Sequence, residues 1–230
     1  MTSDDAGAPS ETALDGGAGR YPRPTVDLDE AEWVWRDLAS RTSRVPVRHE
    51  EVRLAVIAGL ARCTGARYGD LVRVTVDDLV LDPPDDVADV AEVPGVAGDS
   101  GGAARRSAAR PVGGVVRVRH GKHRTVRDHA LDPGAAAVLA RWLEVREELC
   151  VDLEGSVPRA LLLTVHHTHD NGVTVSKGLP ITAQGLVLSW RRYVHRTAAE
   201  QGARRRPLPT RFEQVRRAWV VARAAAEDGH

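Results

Sequence analysis

Arg67 stands in the run Thr64-Gly65-Ala66-Arg67-Tyr68-Gly69-Asp70-Leu71, where one apolar helical pattern stops and another begins. A guanidinium held at such a junction has a fixed origin, and its planar fork matches a pair of phosphate oxygens. Asp70, three residues on, offers it a structural ion pair instead, and the residues alone leave both readings open. Lys122 lies in Gly121-Lys122-His123, between two segments that alternate apolar and polar residues. An amine at such a tip can swing into a neighbouring site and, partly desolvated, act as a general acid. It is equally an ordinary turn residue. His166, His167 and His169, with Asp170, follow the apolar run Leu162–Val165, and this density of ligands can hold zinc. Arg191, Arg192 and Arg196, followed by Arg204, Arg205 and Arg206, lie on or just after one helical pattern. Spacings of three to five put some of them on a shared face, which is either solvated or set against nucleic-acid phosphates.

The elements that must position these groups are legible in the periodicity. Val52, Ala55, Val56, Gly59, Leu60 and Cys63 form an i, i+3, i+4, i+7 stripe, predicting a helix from about Val47 to Thr64 with one face in a core. Gly59 marks a close packing contact and Gly65 a C-terminal stop. Ahead of it, Asp29 is expected to cap a first helix through Trp33, Trp35 and Leu38. Gly114–His120 and Arg124–Ala130 read as a β-hairpin. Asp132-Pro133 supplies an N-cap and first helical residue for a helix to about Cys150. Ala160–Val165 reads as a short buried strand, and the histidine-rich stretch after it as a polar loop. Thr182 caps a helix closed by Gly202, and Thr210 opens a last one, with Thr210-Arg211-Phe212-Glu213 as an S/T-x-x-E capping box. The expected fold is α+β and mostly helical, with a small antiparallel sheet. Residues 1–24 read as a disordered tail, 25–230 as one domain, and 82–112, rich in Pro, Gly, Ala and Asp, as a flexible surface insertion.

The chain has 230 residues, 42% hydrophobic, and a formal net charge of zero that conceals a strong polarity. Residues 1–100 hold 10 Arg and 20 Asp/Glu; residues 101–230 hold 22 Lys/Arg and 12 Asp/Glu, so −10 stands against +10. A basic half of this kind can supply a phosphate-binding face. Two cysteines, Cys63 and Cys150, both on apolar helix faces, point to a reducing cytosol and no disulfide framework. The sequence has no long apolar segment and no cationic-then-apolar start, which leads to the expectation of a cytoplasmic protein with no membrane partner.

Thr64–Leu71, followed by Val76-Asp77-Asp78-Leu79, resembles the T-G-x-R-x-x-E-L box of the tyrosine recombinase (phage integrase) family. Val115–Leu131 resembles that family's lysine-bearing hairpin, and Thr210–Trp219 its third box, in the family's order. The resemblance implies a recombinase catalytic domain shortened at both ends, acting in site-specific DNA recombination or integration. Arg67 and Arg216 would clamp the scissile phosphate, and Lys122, or Arg124 in its place, would protonate the leaving oxygen. Glu213 and Arg217 stand where the third box has its two histidines, and Trp219 supplies its aromatic. The three groups, Arg67, Lys122 and Arg216, should converge on one concave face, with Arg67 mostly buried near Asp70 and Lys122 mobile. The family's nucleophilic tyrosine lies beyond the third box, whereas Tyr21, Tyr68 and Tyr193 all precede it. The implied partners are double-stranded DNA and a full-length recombinase or other protomers, with no cofactor and no metal, and autonomous strand cleavage is not expected. Two alternatives come from other classes. One is a zinc-dependent hydrolase, because Leu162–Gly172 resembles the metallo-β-lactamase motif, although Val165 replaces its first ligand and His169-Asp170 reverse its order. The other is a non-enzymatic DNA or protein interaction module using the basic half.

Overall fold

The computed structural model describes residues 26–81, 113–121, 124–151, 153, 155, 157–170, 173–202 and 207–228. The expected tail (1–24), the insertion (82–112), Lys122, Arg204, Arg205, Arg206 and Tyr21 lie outside the described residues.

Six helices and two small antiparallel sheets follow in the order α1 (Leu28–Arg41), α2 (His49–Thr64), α3 (Tyr68–Leu71), β1 (Leu79–Leu81), β2 (Gly114–His120), β3 (Thr125–Leu131), α4 (Pro133–Cys150), β4 (Thr168–Asp170), β5 (Val173–Val175), α5 (Ala183–Gln201) and α6 (Phe212–Asp228). The cap of α1 is Asp27 rather than Asp29: its carboxylate accepts the Glu30 N–H at 2.7 Å, and Asp29 falls inside the first turn. Asp132 caps α4 and Thr182 caps α5, accepting from Ala135 N at 3.0 Å and Gly185 N at 3.1 Å. Each satisfies one of the donors a helix start leaves unpaired.

Helix α2 is the axis of the molecule. Its stripe predicted one buried face, yet 13 of its 16 residues are buried, because α1, α4, α5, α6 and β3 all pack around it. Gly59 is where α1 and α4 come closest, since a Cβ there would stand 3.1 Å from the Trp35 ring and 3.4 Å from Ala135 Cβ. Glu50, Glu51 and Arg53, polar and on the side the stripe left to solvent, are buried with partners. Arg53 donates to the Leu163 carbonyl and the Ser189 hydroxyl, each at 2.6 Å. Burial still lowers its pKa to about 10, with Glu50 opposing that shift.

The hairpin forms with β2 in the middle of a three-stranded sheet, β1 pairing with its start and β3 along its length. Val116, Val118 and Leu131 on one face are buried against the helices. Ala160–Val165 is not a continuous strand. It makes single bridges, Ala160 to Thr75 and Leu163 to Pro180, and buries Leu161, Leu162 and Leu163 between two different neighbours. The polar stretch after it forms the β4–β5 hairpin, which its mixed composition did not signal. Helix α6 begins at Phe212, so Glu213 is its second residue and not the third that a capping box requires.

Candidate nucleic-acid interface

Three segments remote in sequence meet at the C-terminus of α2. The chain leaves that helix through Gly65, in the left-handed region at φ 68°. It then extends through Ala66 and restarts at α3, for which Arg67 is the flanking residue. Asp70 holds this junction together: its carboxylate accepts the Arg67 N–H at 3.3 Å and the Gly121 N–H at 2.9 Å. The second contact docks the tip of the β2–β3 hairpin beside Arg67, with Lys122 the next residue in the chain.

Helix α6 supplies the third wall by capping α2 from outside. Arg216 Nη1 donates to the Gly65 carbonyl at 2.6 Å, and Arg223 Nη1 to the Cys63 carbonyl at 2.9 Å. Both cations therefore sit on the carbonyl end of the α2 dipole, where positive charge is favoured. A cavity of about 420 Å³ results, lined by Arg67, Asp70, Arg127, Arg216, Arg223 and the histidine pair His120 and His129. Four guanidiniums line it with the Asp70 carboxylate, while Glu213 and Glu227 pair with Arg216 and Arg223 from beside it; the balance is positive, and concave walls concentrate such a field.

Arg67 and Arg216 thus share one cavity, but in opposite conditions. Arg67 is exposed rather than buried, and its guanidinium has no hydrogen-bonded partner among the described residues; Asp70 binds its backbone instead. Arg216 is 7% exposed and engaged at all three nitrogens: beside the Gly65 contact of Nη1, Nε and Nη2 donate to the two Glu213 oxygens at 2.8 and 2.6 Å. Burial works to raise the Glu213 pKa, but Arg216, with Arg67 and Arg217 nearby, holds it below the ordinary carboxylate range. Arg217 is more exposed and lies 3.4 Å from the same carboxylate.

Arg127, Arg223, His120 and His129 were missed as site residues. The signal was the strand alternation, which puts Thr125, Arg127 and His129 on one face of β3, continuous with the core face of the sheet. The His120 and His129 Nε2 atoms are 3.1 Å apart, so one ring donates to the other. Burial, then His120, Arg223 and Arg127, push the His129 pKa down to about 4, which keeps it neutral at neutral pH.

The remaining candidates are dispersed. Arg124 is exposed at the hairpin turn with φ 51°. Arg191 lines a second cavity of about 340 Å³ with Arg67, Arg211, Tyr68 and Phe212, on the other side of Arg67. Arg192 and Arg196 are drawn into ion pairs with the buried Glu50 and Glu51, at 2.9 Å and 2.7 Å. His166 and His167 are exposed, and no group of three potential metal ligands stands together among the described residues. Tyr193 is buried with its hydroxyl donating to Asp37 at 2.8 Å, and burial, then Asp37, raises its pKa far above the usual phenol. Tyr68 stacks on Phe212 at 4.9 Å with its hydroxyl sealed from water, and burial followed by Glu213 raises its pKa as well.

Two recombinases are among the solved structures similar to this chain. The XerH site-specific recombinase, crystallised on its difH substrate in a pre-cleavage complex, superposes with a TM-score of 0.50 at 15% identity, covering 88% of this chain and 44% of that one. The XerA recombinase gives a TM-score of 0.46 at 13% identity, covering 89% and 52%. The fold is that of a recombinase catalytic domain. The chain spans about half the length of either protein. No family model and no curated protein matches the sequence. At such identities the likeness is one of fold, and the expected α+β, mostly helical class with a small antiparallel sheet is what the structure has. No helix among the described residues is long and apolar enough to cross a membrane.

Proposed function

We propose that this chain is a site-specific-recombinase-like protein that binds double-stranded DNA by its phosphate backbone at the cavity between α3, the β2–β3 hairpin and α6. The observation that carries the reading is the convergence of Arg67 and Arg216, 149 positions apart, with Arg127 and Arg223 on one electropositive wall. Arg67 presents an exposed fork, which suits two oxygens of one phosphate. Lys122, outside the described residues and next in the chain after Gly121, is proposed as the proton donor to a leaving oxygen, a reading supported by the Gly121–Asp70 contact beside Arg67. Arg191, exposed beyond Arg67, extends the basic track; Arg204, Arg205 and Arg206, outside the described residues, are proposed as further phosphate contacts on their charge alone.

Cleavage is a separate requirement. A phosphotyrosyl route needs a phenol that reaches the phosphorus and gives up its proton. Tyr193 is bonded to Asp37 and buried, and Tyr68 is packed beneath Phe212 beside an anion. Neither phenol is presented to the cavity, so strand cleavage there calls for a nucleophile other than Tyr68 and Tyr193, which a full-length recombinase bound at the same DNA site would supply.

The test is duplex binding as a function of salt. The affinity should fall linearly in log–log form, and Arg67→Ala should reduce the slope by about 0.9, one phosphate contact, on any DNA sequence. Binding that ignores salt, or an Arg67→Ala slope equal to the parent's, would refute the assignment.

A further inference from the structure

We propose that Glu213 is an internal anion that occupies the Arg216 fork in place of a DNA phosphate. The proposal rests on the phosphate-binding reading above and narrows it: Arg67 is the open arm of the clamp and Arg216 the closed one.

The geometry is that of a carboxylate acting as a ligand. Both Glu213 oxygens are used, at 2.8 Å from Nε and 2.6 Å from Nη2 of Arg216, the paired contact a guanidinium otherwise offers to a phosphate. The remaining Arg216 arm is committed to the Gly65 carbonyl at 2.6 Å. Three of the five Arg216 N–H donors are used in this way, one on each nitrogen, and the side chain is 7% exposed. A phosphate can therefore take the two-point contact with Nε and Nη2 only by displacing Glu213, and the released carboxylate would then stand close to that phosphate. Local sequence makes the pairing easy, because residues three apart on a helix lie on the same face. Arg217 and Arg67 stand close enough to hold the carboxylate ionised. The cavity wall thus carries less charge than its arginine count suggests, since Glu213 cancels Arg216. Phosphate contact falls to Arg67, Arg127 and Arg223.

Glu213→Gln removes the charge, keeps the size and leaves one acceptor for Arg216. In salt-titrated duplex binding it should steepen the slope by about 0.9 and tighten affinity about tenfold at moderate salt, the scale of one charge-assisted contact. Arg216→Gln should leave the slope unchanged in the parent chain and abolish the gain in the Glu213→Gln background. Loss of fold cannot produce a gain in affinity, so the readout separates ligand displacement from structural damage. Glu144→Gln, an equal charge change on α4, is the control. An unchanged slope in Glu213→Gln, or the same gain from Glu144→Gln, would overturn the proposal while leaving duplex binding itself intact. A parent chain that fails to bind duplex at low salt refutes the DNA reading instead. Inorganic phosphate then decides this one: it should raise the melting temperature of Glu213→Gln more than that of the parent, and equal shifts would overturn it.

Discussion

The histidine pair shows how one residue's surroundings set a measurable property of the molecule. His129 is packed against His120 with Arg127 and Arg223 nearby, and its pKa falls to about 4 from an ordinary 6.5. An unfolded chain therefore takes up a proton at this residue before the folded one does. Stability from this source is complete above about pH 6.5 and is lost as the pH falls from there toward 4. The depressed carboxylates of Glu200 and Glu213 act in the same direction, but only below their ordinary value of 4.5. Between pH 6.5 and 4.5 His129 therefore contributes and these two carboxylates do not. Denaturant midpoints across that range should fall more for the parent chain than for His129→Gln. Parallel pH profiles for the two would contradict this account.

Between elements, the decisive contact is α6 laid across the end of α2. Gly65 allows it for two reasons: its φ of 68° is costly for any residue with a Cβ, and a Cβ would stand 2.6 Å from Arg223 Nη2 and 3.0 Å from Val220 Cγ2. The arginine tip can move, so most of the cost is backbone. Gly65→Ala should destabilise the fold by about 1–2 kcal/mol in urea unfolding, with the larger share from the left-handed conformation. The same substitution should weaken the Arg216 and Arg223 caps on α2. A loss under about 0.5 kcal/mol, the scale of an inert surface change, would mean that neither the left-handed conformation nor the close approach of α6 constrains this position.

For the whole molecule, the question is whether a phosphate site becomes a cleavage site. One ion-pair network, joined through Glu51, holds α5 against α1 and α2: Arg41 bridges Asp37, Glu51 and Glu200, while Glu50 and Glu51 take up Arg192 and Arg196. It also fixes Tyr193, whose hydroxyl meets Asp37. Releasing Tyr193 would expose a fully buried aromatic side chain and remove a hydrogen bond from the Asp37 carboxylate, so it cannot be freed cheaply to reach a distant phosphate. This 230-residue polypeptide, incubated with a nicked suicide duplex, should form no covalent adduct. A protease-sensitive, gel-shifted product that vanishes in Tyr193→Phe would show that the phenol escapes this network.

What the sequence determined was local. Caps at Asp132 and Thr182, the glycine stop after Thr64 and the alternation around residues 114–131 each follow from chemistry within a few positions, and each formed at or within a residue or two of its expected place. The mostly helical class with a small sheet followed from the same signals. The tertiary structure decided how charge was shared. Periodicity could not show that the polar side of α2 is buried, since Glu50, Glu51 and Arg53 are tolerated inside because partners arrive in space, several of them from residues more than a hundred positions away. The same holds at the candidate site. Arg67 and Arg216 were legible as a pair from motif order, but not that one lies open and the other is closed by Glu213. Nor could Arg127, Arg223 and the two histidines be placed beside them, because their meeting depends on how the hairpin and α6 dock on the end of α2. Electrostatic energy depends on distance in space and on burial, and neither quantity exists until the chain has packed.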